Sequence, residues 1–118
     1  MRIRSLLAAG FLAAGMTGAI AAEPVGRYTV QGRNPGGSDT YSGTVEITRT
    51  GQTYRVVWMI GGERFVGTAV GDANFLAVSY KSGGDTGLAI VAPEGANWGS
   101  VWTYAGGTTL GTERWIRR

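Results

Sequence analysis

Beyond residue 22, apolar and polar side chains alternate with a period of two through most of the chain. Successive side chains of a strand point to opposite faces, so this alternation predicts strands with one buried and one wet face. No window there carries the 3.6-residue spacing of an amphipathic helix. Gly or Pro interrupts the chain every few residues, which also argues against long helices. The pattern predicts eight strands, over residues 26–32, 39–49, 53–60, 63–70, 74–81, 86–92, 97–104 and 109–116. Between them stand turn-forming groups: Asn34-Pro35-Gly36-Gly37, Thr50-Gly51, Gly61-Gly62, Asp72-Ala73, Gly83-Gly84-Asp85, Pro93-Glu94-Gly95 and Gly106-Gly107. These connections are too short for a crossover helix, so the strands form an antiparallel meander.

Pairing arithmetic gives a register. A two-residue turn at Thr50-Gly51 sets Glu46 opposite Arg55, Val45 opposite Val56, Ile47 opposite Tyr54 and Gly43 opposite Trp58. A turn at Gly61-Gly62 sets Trp58 opposite Phe65, Val56 opposite Gly67 and Tyr54 opposite Ala69. A four-residue loop over 71–74 then sets Ala69 opposite Leu76, Gly67 opposite Val78 and Phe65 opposite Tyr80. One face stays apolar across all three hairpins, and a one-residue slip would scatter it. Small residues beside large ones suit a tightly curved sheet. An open meander would expose two edges, so a closed or nearly closed eight-stranded up-and-down β-barrel is the expected fold, with a two-layer β-sandwich as the alternative. A membrane-spanning barrel needs longer strands and an apolar outer band. The outer positions here read Ser42, Thr44, Glu46, Thr48 and Arg55.

The first residues follow a different logic. Arg2 and Arg4 precede an Ala- and Leu-rich run over 6–16, and Ala19-Ile20-Ala21 offers small residues where a signal peptidase reads. The run is short and diluted for a membrane span. Residues 1–21 are therefore expected to be a signal peptide and 22–118 a single domain. That expectation places the protein in the periplasm or outside the cell, with no transmembrane segment after cleavage. Loss of Arg2 and Arg4 lowers the 11 Lys and Arg to 9 against 8 Asp and Glu, a net charge of +1. With basic residues dispersed, apart from Arg114, Arg117 and Arg118, no nucleic-acid footprint is expected.

Composition narrows the chemistry. The chain has no Cys and no His, which excludes disulfide staples, thiol catalysis, Ser-His-Asp triads and the usual zinc and haem ligation. A hydrophobic content of 43% against 16% charge favours collapse over disorder. Asp72, Asn74 and Asp85 read as turn residues without calcium-ligand spacing, so neither a metal nor a cofactor is expected. Glu113 is the one strand carboxylate whose parity can turn inward. Trp115 and Gly111 share that parity, while Leu110 and Ile116 share the other, and the pattern leaves the two open. An inward Glu113 needs a tyrosine hydroxyl or an arginine as partner. With no paired acid and no nucleophile beside a base, the chain reads as a non-enzyme.

Two binding surfaces remain. Tyr28, Tyr54, Trp58, Phe65, Tyr80, Trp98, Trp102 and Glu113 are candidates for the barrel interior. They either fill it or line a small apolar cavity near one end. Val57, Met59, Val66 and Phe75 fall on the outer parity and predict an apolar stripe between Arg55 and Arg64, suited to a homodimer or a partner protein. The first surface implies a carrier of a small apolar ligand. The second implies an interaction module with a filled core, directed at an envelope or host-matrix protein.

Gly26-Arg27-Tyr28 at the first strand and Arg114 in the last resemble the calycin pattern of lipocalins, fatty-acid binders and avidins, in which a Gly-x-Trp start is closed by a basic side chain over the ring. Tyr28 stands here in place of the Trp. Tyr54-Arg55-Val56-Val57-Trp58 resembles an avidin strand bearing a ligand-contacting Trp, without counterparts for the other biotin-holding residues. Over most of its length, through Gly32-Arg33-Asn34-Pro35-Gly36-Gly37, Tyr41-Ser42-Gly43-Thr44-Val45, Tyr54 to Gly62 and Gly111-Thr112-Glu113-Arg114-Trp115, the chain resembles small exported bacterial proteins often labelled fibronectin-binding or uncharacterised. The resemblance implies export and a small β-barrel.

Overall fold

The computed structural model describes residues 23–118; the expected signal peptide and Ala22 lie outside them. Eight strands follow in order: β1 (Gly26–Arg33), β2 (Thr40–Thr50), β3 (Thr53–Ile60), β4 (Glu63–Asp72), β5 (Phe75–Ser82), β6 (Asp85–Glu94), β7 (Asn97–Tyr104) and β8 (Gly111–Arg117). Each pairs antiparallel with the next, and β8 pairs with β1 to close an up-and-down barrel. The eight expected strands and the meander are present, and closure decides between barrel and sandwich. No described helix is long and apolar enough to cross a membrane.

Closure removes both sheet edges. At the seam, Val30 lies opposite Trp115 and Gly32 opposite Glu113. The Arg118 amide adds a bond to the Arg27 carbonyl at 3.0 Å. The inner face is the apolar one: Tyr28, Val30, Ile47, Val56, Leu76, Val91, Trp98 and Trp115 are fully buried. Glu113 points inward with Trp115, while Leu110 is exposed, which settles the parity of β8.

The β3–β4 register is the expected one, with Trp58 opposite Phe65. Two neighbouring registers differ by two residues. On β2–β3 the turn is Gly51-Gln52, so Thr50 faces Thr53, Val45 faces Trp58 and Gly43 faces Ile60. The Thr50 and Thr53 hydroxyls meet at 2.9 Å across this turn. The expected Glu46–Arg55 pair does not form: Arg55 lies opposite Thr48, and Glu46 instead accepts from Arg27 of β1 at 3.2 Å. On β4–β5 the loop tightens to Ala73-Asn74, which places Ala69 opposite Val78, Gly67 opposite Tyr80 and Gly71 opposite Leu76. The Asp72 carboxylate accepts from the Asn74 amide at 2.8 Å and favours this shorter turn. A slip of two preserves side-chain parity, so the inner face survives both changes. At Gly61-Gly62 both residues have positive φ, 59° and 85°, the requirement of a type I′ hairpin turn.

The two ends differ. The β2–β3, β4–β5 and β6–β7 turns gather at one end with the start of β1 and the finish of β8. There Tyr28 donates to the Pro24 carbonyl at 2.7 Å, and the Arg117 guanidinium lies 4.8 Å above its ring. Arg117 also donates to the Tyr28 hydroxyl, the Glu23 and Val25 carbonyls and the Ala96 carbonyl, tying four segments into a plug. The basic residue over the first-strand ring is thus Arg117 and not Arg114, which points outward near Glu94 because it has the opposite parity. The other end carries the two longer connections, residues 34–39 and 105–110, and is open.

Candidate functional site

Inside the open end is a cavity of about 280 Å³. Its walls are aromatic: Tyr41 from β2, Trp58 from β3, Phe65 from β4, Tyr80 from β5, and Trp102 and Tyr104 from β7. Ile60 and Ala89 complete the apolar surface; Asn34, Glu63, Ser100 and Glu113 supply polar atoms. Glu113 is thus not the one inward strand carboxylate: Glu63, at the rim, shares the parity of Phe65. The rings brace one another edge to face. Tyr80 touches Trp58, Phe65 and Trp102 at centroid separations of 5.7, 6.3 and 6.3 Å, and Trp102 meets Tyr41 at 6.2 Å and Tyr104 at 5.2 Å. Such tilted contacts exceed their area burial by about 0.5–1.5 kcal/mol each and hold the walls in place.

Glycines make these ring positions possible. Gly67 lies beside Trp58 and Tyr80, Gly87 lies under the Tyr80 ring, and Gly111 under the Trp102 indole. Large residues rest on small ones, as the curvature argument requires, but the partners differ: Gly43 faces Ile60 and not Trp58, because of the two-residue shift on β2–β3.

At the cavity floor sits Glu113, 8% exposed. Its Oε1 accepts from the indoles of Trp115 at 2.8 Å and Trp58 at 3.1 Å, and its Oε2 accepts from the Tyr41 hydroxyl at 2.6 Å. Tyr41 reaches it across β1: Gly32 pairs with Tyr41 on one side and Glu113 on the other. A side chain at residue 32 would collide with the Tyr41 ring, its Cβ falling 2.1 Å from Cζ. Of the two partners an inward Glu113 requires, a tyrosine hydroxyl or an arginine, the structure supplies the tyrosine. Burial pushes the Glu113 carboxyl above its usual value, while the hydrogen bonds from Tyr41, Trp115 and Trp58 pull it back. Burial and then the adjacent Glu113 charge raise the Tyr41 hydroxyl strongly, and Trp102, near it but outside hydrogen-bonding geometry, offsets this a little. Burial, followed by Tyr104 and Glu113, pushes Tyr80 up to about 12. Among the described residues no basic side chain forms an ion pair with Glu113.

Of the eight interior candidates, Trp58, Phe65, Tyr80, Trp102 and Glu113 line the cavity. Tyr28, Tyr54 and Trp98 are buried in the core but do not line it. Tyr28 is held under Arg117, and Tyr54 accepts from Arg49 at 2.8 Å. Sequence reasoning missed Tyr41 and Tyr104, although each shares parity with inward residues of its own strand, Val45 and Ile47 or Trp98 and Trp102.

The four outer candidates do not make one stripe. Val57 lies opposite Val66 and Met59 opposite Arg64, but Phe75 is at the far end of the sheet opposite Asp72. Phe75 is the first residue of β5, beside the turn, and the two-residue shift moves its partner from Val70 to Asp72. A different outer row runs through Val70, Ala77, Ile90 and Val101, successive partners across β4 to β7. Among the described residues there is no group of three or more His, Cys, Asp and Glu side chains placed to hold a metal. No protein-family model matches the chain, and no curated protein matches it.

Proposed function

We propose that this chain is an exported, non-enzymatic carrier that holds one small, largely apolar ligand at the open end of a calycin-like barrel. The carrying observation is the aromatic cavity, closed below by a hydrogen-bonded floor and open above. An apolar cavity of about 150 Å³ takes benzene; about 280 Å³ has room for one ring with a short substituent. The interlocked rings favour a preformed site, which spares a ligand the cost of ordering its walls. Export rests on the pattern of residues 1–21, and the likeness to small exported barrels agrees with it. A non-catalytic role is supported by Glu113, whose oxygens already serve three donors. The alternative interaction module needs a filled core and a continuous outer stripe, and neither the cavity nor the separation of Phe75 from Val57, Met59 and Val66 supports it.

The test is a titration of the protein with toluene, followed by tryptophan fluorescence. Trp58 and Trp102 line the cavity, so saturable quenching or enhancement is expected. Ala89→Leu adds volume inside the cavity and should abolish the response while the unfolding midpoint stays near the parent's. A parent protein that gives no saturable response refutes the carrier reading.

A further inference from the structure

The cavity reading leaves one group unused. Glu113 is a buried acid with no basic partner among the described residues, and it lines the cavity. A carboxylate offers about four acceptor positions; Tyr41, Trp58 and Trp115 occupy three. All three partners donate, the arrangement that solvates an anion. The remaining acceptor capacity belongs to a group whose one open side is the cavity. The only other charged lining residue is Glu63, also an acid. No Arg or Lys lines the cavity, although basic residues slightly outnumber acidic ones along the chain. Six aromatic rings form most of the remaining wall, and aromatic faces attract cations.

Resting on the carrier reading, we infer that the ligand is a small organic cation, an aromatic or aliphatic ammonium whose charged nitrogen sits over Glu113 while its apolar part packs among Trp58, Phe65, Tyr80 and Trp102. A cation supplies the counter-charge that the buried carboxylate lacks. An anionic ligand meets two acids and no base. A neutral ligand fills the volume but leaves the carboxylate without a counter-ion.

A charge series at nearly constant shape tests this: 2-phenylethylammonium, 2-phenylethanol and phenylacetate, each titrated by calorimetry into the folded protein. The ammonium should bind at least about tenfold more tightly than the alcohol, and phenylacetate should bind weakest. Glu113→Gln should erase the ammonium's advantage while retaining affinity for the alcohol. The wild-type series decides the matter even if that variant does not fold. If the alcohol binds as tightly as the ammonium, or phenylacetate binds best, the cation assignment falls and the carrier reading stands. If none of the three binds while the protein is folded, both fall.

Discussion

Gly32 has two neighbours that no other residue type would allow to meet. It separates Tyr41 from Glu113 across three strands, and the tyrosine ring crosses its empty face to complete the carboxylate's hydrogen bonds. Gly32→Ala is therefore expected to displace Tyr41 and destabilise the fold by about 1–3 kcal/mol, read as a lower urea midpoint. Glu113 leaves a signature in the pH dependence of stability. Burial raises its folded-state pKa above the usual 4.5, so at pH values between 4.5 and that higher value the folded protein holds a proton that the unfolded chain has released, and above it the group is the carboxylate. This stabilising contribution is complete below about 4.5 and is lost as pH rises through the higher folded value. Glu113→Gln has no such proton. The stability of the variant relative to the parent should thus rise with pH across that window, measured by urea unfolding at stepped pH; a constant difference would contradict a raised Glu113. At this scale the sequence was only half legible. The need for a tyrosine or arginine partner followed from the cost of a buried charge, but its identity did not, because Tyr41 reaches Glu113 through a seam that exists only on closure.

Among the elements, β8 bears the most varied duties: it closes the barrel, sets Glu113 in the floor, and delivers Arg117 to the plugged end. Arg117→Ala removes donors to Tyr28, Glu23, Val25 and Ala96 together with the contact over the Tyr28 ring. A loss of about 1–3 kcal/mol is expected, with faster amide exchange along the β1–β8 seam than along β3–β4. Arg117→Lys should recover little, since a single ammonium cannot reproduce a planar fork of five donors. The strands themselves were legible because alternation and glycine-rich turns are local signals. Register was legible only in part. At Gly61-Gly62 the paired positive-φ glycines define the turn, and the register is the expected one. At Thr50-Gly51 and over 71–74 several turns preserve the same parity, so alternation alone cannot choose between registers two residues apart. The structure chooses through the Thr50–Thr53 and Asp72–Asn74 contacts. The supposed outer stripe fails mainly because Phe75 opens β5 beside the turn, away from Met59 and Val66; the register shift only moves its partner from Val70 to Asp72.

On the scale of the whole molecule, the barrel divides into a sealed half and an open half. Tyr28, Trp98 and Trp115 pack fully buried in the core, while Tyr41, Trp58, Phe65, Tyr80, Trp102 and Tyr104 surround space. Parity places these rings on the inner face, except Trp115, whose strand the pattern left open, but it carries no information on depth along the barrel axis. That depth depends on which hairpins share an end and on where Arg117 inserts. The division is what makes a binding claim testable, because the four tryptophans of the chain sort cleanly: Trp58 and Trp102 line the cavity, and Trp98 and Trp115 do not. Each indole N–H gives its own signal in a nitrogen–proton correlation spectrum. The most direct measurement is such a spectrum recorded through a toluene titration of the folded protein. A ligand cavity at the open end predicts saturable shifts of the Trp58 and Trp102 indole signals, with the Trp98 signal nearly unmoved. Four stationary indole signals, or shifts confined to outward-facing residues, would contradict it.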